Sequence, residues 1–210
     1  MSSPSMEKTS VEPLSTATTA IPPTVREPGV VDVEYGWQGN NLVKMLENGE
    51  AYFPRVFEAM REAKTEILLE TFIVFEDKVG HELQQVLIEA AQRGVRVTAS
   101  LDGFGCGELS TGYLTALSEA GVRIQMFDPA PKRLGFRTNW FRRLHRKIVV
   151  VDGTIAFIGG INFSGDHLAD FGPEAKQDYS VEIQGPAVAD IHHFALLQAG
   201  RPARAKYWWQ

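Results

Sequence analysis

The chain has 210 residues, of which 44% are hydrophobic and 22% charged, and a net charge of −5. That balance belongs to a globular domain long enough to bury a core without staples. The single cysteine, Cys106, excludes an internal disulfide and a cysteine-rich zinc site. No run approaches the ~18 apolar residues of a membrane span, so any membrane role would be peripheral.

Residues 1–30 are rich in Ser, Thr, Pro and Glu and lack apolar periodicity, which predicts a disordered tail. Order is expected from about residue 35 to residue 200. Phe53, Val56, Phe57 and Met60 recur at helical spacing and predict a helix over Glu50–Ala63. A strand follows over Glu66–Phe75. A helix over Gly80–Arg93 carries Leu83, Val86, Leu87 and Ala90 on one face and stops at Gly94. Val95–Leu101 reads as a strand. The Gly-rich stretch Asp102–Gly107 holds Cys106, which reads as a small loop residue rather than a nucleophile, since nothing near it in sequence would lower its pKa. A helix over Thr111–Ala120 stops at Gly121, and a strand follows over Val122–Phe127. Asp128–Phe141 reads as a loop. Strands over Leu144–Val151 and Thr154–Ile158 flank a tight Asp152-Gly153 turn. Asp178–Gln184 is a further strand, and Pro186–Leu197 a last helix. Ala203–Gln210 ends in Tyr207-Trp208-Trp209-Gln210, a large apolar surface that predicts a truncated end or one packed on something else.

Strands alternating with helices predict an α/β domain: a mixed, mostly parallel sheet with helices on both faces, the Asp-Gly hairpin supplying the antiparallel piece.

The negative net charge hides an asymmetry. Between Pro129 and Val151 there is no acidic residue, yet the segment holds Lys132, Arg133, Arg137, Arg142, Arg143, Arg146 and Lys147, interleaved with Phe136, Trp140 and Phe141. A basic, aromatic segment on an acidic chain predicts a local anion site, with Arg143 and Arg146 beside it. It argues against a nucleic-acid coat, for which the whole domain is usually basic.

The chemistry concentrates in His-x-Lys-x4-Asp-x6-Gly-Gly-x-Asn, from His145 to Asn162. Residues two apart on a strand share a face, so His145 and Lys147 project together. The return strand delivers Gly159, Gly160 and Asn162 beside them, and the glycines allow close approach to the backbone. One imidazole, one cation, one amide donor and backbone N–H groups suit a phosphodiester. Lys147, Asn162, Gly159 and Gly160 are the expected phosphate-binding groups, and His145 the nucleophile. No metal or cofactor is called for, because Lys147 would repel a cation and a single histidine is a poor ligand set. A histidine opening a strand is more often a rim residue than a catalyst. The combination carries the specificity: six defined positions within 18 residues.

This pattern resembles the His-x-Lys-x4-Asp motif of the phospholipase D superfamily. Where that superfamily usually has Gly-Ser, the present Gly159-Gly160 is similar to the first motif of bacterial cardiolipin synthases. Leu69–Lys78, Arg137–Lys147 and Gly172–Tyr179 extend the resemblance, to the B type of those synthases, over most of residues 35–200. The resemblance implies a phospholipase D-like fold and two-step phosphatidyl transfer: two phosphatidylglycerol molecules give cardiolipin and glycerol through a phosphatidyl-histidine on His145. It assigns phosphate binding to Lys147 and Asn162 and a structural role to Asp152. Asp178, 33 residues after His145, is similar to the family carboxylate that orients a histidine, often that of the opposite half. A plain strand-end carboxylate is an equally good reading of it. The implied location is the bacterial cell membrane, peripheral and on the cytoplasmic side.

Members of that family carry two such motifs. This chain has one, since His81, His167, His192 and His193 are not followed by a lysine two residues on. Three readings stay open. The chain is one half-site of a phosphatidyltransferase, completed by a second half-domain or by a homodimer. It is a single-motif phosphodiesterase or nuclease acting as a dimer, against which the acidic charge counts. Or it is an incomplete fragment that binds anionic phospholipid without turnover.

Overall fold

In the computed structural model, residues 37–127 and 143–200 are described. The expected tail over 1–30, the basic and aromatic loop up to Arg142, and the Trp-Trp end lie outside them. Seven strands form one sheet. They are β1 (Leu42–Glu47), β2 (Glu66–Thr71), β3 (Arg96–Asp102), β4 (Arg123–Phe127), β5 (Ile148–Val151), β6 (Ile155–Gly159) and β7 (Tyr179–Gln184), in the order β1-β7-β6-β5-β2-β3-β4. The four helices are α1 (Asn48–Glu62), α2 (Lys78–Gln92), α3 (Thr111–Glu119) and α4 (Ala187–Ala199).

The α/β class and the mixed sheet agree with expectation, but the balance of pairings does not. Only β2–β3 and β3–β4 are parallel; the other four pairings are antiparallel. Five strands still run one way, with β5 and β7 reversed. The reason is connectivity. The helical crossovers α2 and α3 return the chain in parallel, whereas the Asp-Gly hairpin reverses it and β7 and β1 add to its open side.

Strand β1 escapes the sequence pattern. It is an edge strand with five of its six residues exposed, so no alternation marks it.

Phe53 and Phe57 of α1, Leu83 and Leu87 of α2, and Tyr113 and Leu117 of α3 close one face of the sheet over Val149 and Phe157, with Phe163 among them. The second face is smaller: Val188 and Ala195 of α4 cover Leu68, Ile148, Val150 and Ala156. Alternate residues of β5 therefore serve opposite cores, as a pleated strand buried on both faces requires. Caps set the helix starts. The Asp77 carboxylate accepts from Val79 and Gly80 N–H at the head of α2, and the Ser110 hydroxyl accepts from Tyr113 N–H at the head of α3. No described helix is long and apolar enough to cross a membrane.

Candidate active site

The site lies where β2 and β3 end, β5 begins and β6 ends. β5 is shorter than expected, beginning at Ile148 rather than Leu144. The Leu144 N–H is taken by the Asp102 carboxylate (2.6 Å) instead of a neighbouring strand. The other Asp102 oxygen accepts from Phe104 and Gly105 N–H, so one buried carboxylate ties the Gly-rich loop to the segment carrying His145. β2 likewise stops at Thr71, four residues early. Ile73 and Phe75 pair with the chain after β6: Phe163 N–H donates to Ile73 C=O, and Phe75 N–H to Phe163 C=O.

That second pairing orients Asn162. Its Oδ1 accepts from Ile73 N–H (3.1 Å), which leaves Nδ2 as the donor end of the amide. Its backbone N–H donates to His167 Nε2 (3.3 Å). His167 is 2% exposed, and the acceptor role of Nε2 puts the proton on Nδ1, which is buried without a partner among the described residues. Burial holds this imidazole below the ordinary histidine range, against the pull of Asp166 and Asp178.

Lys147 is 5% exposed. Its Nζ donates to the His145 C=O (3.1 Å) and lies 5.1 Å from the centre of the Phe72 ring. Burial pulls its pKa down, while Asp178 and Asp102 oppose that. His145 is exposed, and its ring packs on Phe72 with 4.8 Å between centroids. Among the described residues its imidazole makes no hydrogen bond.

Lys147 C=O accepts from Gly159 N–H, and Gly159 in turn faces Ser180 of β7, so β5, β6 and β7 bring their site ends level. This explains the double glycine. A Cβ on Gly160 would stand 2.2–2.6 Å from the Asp178 carboxylate, and one on Gly159 would strike Ser180 Cα and Tyr179 O at 2.4 Å. The space of the missing side chains is taken by β7 and its carboxylate. Asn48, at the head of α1, clamps Asp178 by donating its N–H to the Asp178 C=O and accepting the Asp178 N–H on Oδ1. One Asp178 oxygen accepts from Tyr179 N–H.

The remaining expected residues sit elsewhere. Asp152 caps the far end of β5, at φ 52, where it accepts from Lys64, Thr65 and Glu66 N–H and the Thr65 hydroxyl. Burial raises its pKa, but those donors outweigh it and hold the carboxyl below the usual range. Arg146 points to the α4 face: Nε donates to Glu70 (2.7 Å) and the guanidinium lies over Phe194. Burial pushes the Glu70 carboxyl up despite that partner. Arg143 stacks over Phe104 at 4.2 Å, on the loop after β3. Cys106 is buried, with its thiol pushed up to about 12 by desolvation, and its Sγ lies 3.4 Å from Phe72 O.

The structure therefore gathers His145, Lys147, Gly159, Gly160, Asn162 and Asp178, and leaves Asp152 and Arg146 outside. Phe72, Asp102 and His167 belong to the group but were not expected there. Phe72 and Asp102 lie more than 40 residues before His145 in sequence, and His167 bears no motif.

Comparison with known proteins agrees with this fold. The solved structure of Nuc, a phospholipase D family member from Salmonella typhimurium, superposes with a TM-score of 0.56 at 18% identity, over 79% of this chain and all of that one. Phosphatidylserine synthase from Haemophilus influenzae gives 0.55 at 17% identity, over 72% of this chain and 35% of that one. The fold is thus phospholipase D-like. The family model described as cardiolipin synthase, PLD-like domain matches residues 56–194, and the chain belongs to that family. Cardiolipin synthase B of Escherichia coli K12 is 51% identical over 174 residues, covering 83% of this chain and 42% of that protein. Its Salmonella typhi counterpart is 50% identical over 175 residues, with the same shares. Cardiolipin synthase A of Pseudomonas syringae is 42% identical over 152 residues, 71% of this chain and 31% of the relative. The chain thus spans about four tenths of the length of its B-type relatives.

Proposed function

We propose that this domain is one half-site of a phosphatidyltransferase that makes cardiolipin from phosphatidylglycerol. One observation carries the reading: the exposed His145 imidazole and the buried Lys147 ammonium lie against the same Phe72 ring, at the strand ends where Asn162 also sits with its Oδ1 engaged by Ile73 N–H. An imidazole without a hydrogen bond among the described residues can attack phosphorus, and Lys147 and Asn162 can hold the non-bridging oxygens. The identity to cardiolipin synthase B supports the choice of lipid substrate.

A His145 nitrogen forms a bond to phosphorus, and the bond from phosphorus to the glycerol oxygen breaks. The leaving alkoxide takes a proton from a second histidine and departs as glycerol. That histidine then accepts the proton of the hydroxyl on a second phosphatidylglycerol, whose oxygen attacks phosphorus. The P–N bond breaks, and His145 is restored. The second histidine comes from another half-domain or from a twofold copy of this chain. Asp178, clamped by Asn48, supplies the carboxylate that orients a histidine facing it. Anionic headgroups would bring the domain to the membrane surface peripherally.

The test is incubation of the purified chain with phosphatidylglycerol vesicles, beside a His145→Ala control, read by lipid mass spectrometry. Cardiolipin from the first alone supports a working site. No product from either, alone or mixed with a partner half from a B-type relative, overturns the reading. Lipid binding that survives His145→Ala without product marks the binding fragment instead.

A further inference from the structure

We propose that Phe72 is the positioning residue of this site: its ring sets the orientation of the His145 imidazole and holds the Lys147 ammonium against the same side chain. The inference deepens the phosphatidyl-transfer reading and rests on it for its consequence in turnover. His145 is exposed and makes no hydrogen bond among the described residues, although a nucleophile must be aimed. What it packs on is the Phe72 ring, 4.8 Å away and inclined at 52°. The same ring lies 5.1 Å from Lys147 Nζ. One aromatic side chain thus touches both members of the His-x-Lys pair.

An aromatic ring suits the task for a chemical reason. A carboxylate or carbonyl would orient the imidazole by occupying one of its nitrogens. A ring orients it by contact with its face and leaves both nitrogens open, one for phosphorus and one for a carboxylate from across the site. The attraction of the ring for a cation also keeps the ammonium near without consuming its donors. Nζ spends one donor on the His145 C=O and keeps the others for phosphate oxygens.

Phe72 is itself held from behind. A Cβ on Gly105 would lie 1.9 Å from Phe72 O, so only glycine allows the Gly-rich loop to seat there. Cys106 Sγ approaches the same oxygen at 3.4 Å. Asp102 binds Gly105 N–H and Leu144 N–H together, which fixes the loop behind Phe72 and the segment carrying His145 relative to each other.

The experiment compares wild type with Phe72→Leu, Phe72→Met and Phe72→Tyr. Thermal melting of each confirms folding, and the half-buried position makes loss of fold avoidable in at least one aliphatic variant. Two quantities are read. Three-bond couplings from histidine-labelled protein report the χ1 rotamer of His145 without need of turnover. Cardiolipin formation from phosphatidylglycerol vesicles reports kcat and KM. The expected result is a single His145 rotamer in wild type and Phe72→Tyr, and rotamer averaging in the Leu and Met variants. With it, kcat falls about 30-fold in the aliphatic variants, KM changes by less than about twofold, and Phe72→Tyr stays within about threefold of wild type. A single rotamer in the aliphatic variants overturns the proposal, and so does averaging without loss of kcat. If no chain turns over lipid, alone or mixed with a partner half from a B-type relative, the phosphatidyl-transfer reading fails separately, and the couplings still decide whether Phe72 orients His145.

Discussion

Lys147 and Asp152 belong to one motif, but their surroundings give them opposite effects on stability. Lys147 is a buried cation whose folded pKa lies below its unfolded one. The unfolded chain then binds more protons, so the ammonium costs stability at neutral pH, and the cost lifts as pH rises through the folded value. Lys147→Met is expected to raise stability by about 1 kcal/mol at pH 7, or roughly 2–4 °C in Tm, while abolishing turnover. Melting curves at neutral and alkaline pH check this, since the gain should shrink as pH rises. Asp152 runs the other way. Its folded pKa is depressed by four donors, so its contribution is present above the ordinary aspartate range and is lost as pH falls through the folded value. Asp152→Ala should cost about 1–2 kcal/mol at pH 7, because solvent screens part of the interaction of this partly exposed carboxylate. Urea melts at pH 7 and pH 3 should show the difference from wild type narrowing in acid. Rates per folded molecule should stay near wild type, because the side chain sits at the far end of β5 from His145.

Strands β5, β6 and β7 act as one element, because Gly159 and Gly160 let β7 close over the hairpin. The two glycines meet different kinds of obstacle, so their alanine variants should part company. At Gly159 the obstacle is backbone, Ser180 Cα and Tyr179 O, which cannot step aside. Gly159→Ala should pry β6 from β7 and destabilise by about 1–3 kcal/mol. At Gly160 the obstacle is the Asp178 carboxylate, the end of a side chain that can rotate. Gly160→Ala should change Tm by less than about 3 °C yet displace the carboxylate and lower kcat by about tenfold. Paired melting and lipid-turnover measurements decide it, and a stable, fully active Gly160→Ala would remove Asp178 from the mechanism. The element scale is also where the linear pattern misled. Apolar runs predicted strands from Leu144 and through Phe75, whereas Asp102 and the chain around Asn162 claim those backbone groups. Such partners are more than 40 residues distant in sequence and leave no periodic trace.

For the whole molecule, the proposed half-site reading requires a second histidine from outside this motif. The chain covers 42% of its B-type relatives and carries one His-x-Lys pair. If a twofold copy supplies the partner histidine, turnover per chain should rise with protein concentration. Mixing equal amounts of wild type and His145→Ala should then leave about a quarter of the sites with two histidines, and activity should fall below simple dilution. Linear dilution in that mixture would rule out a site shared between copies.

The sequence was sufficient for the class of fold and for the residues that a hairpin brings together. The pleat of the Asp-Gly hairpin brings five of the six spaced residues, His145, Lys147, Gly159, Gly160 and Asn162, to one end from local geometry, and Asp152 to the other. The alternation of helical and extended patterns likewise defined α/β architecture with helices on both faces. Only the tertiary structure could sort the members. It sends Arg146 to the α4 face to pair with Glu70, seats Asp178 in the space that Gly160 leaves, and brings Phe72, Asp102 and His167 up behind the motif. The physical reason is one of range. Strand periodicity tells which neighbours share a face, but a buried carboxylate or ring finds its partners across the sheet, where separation along the chain carries no information.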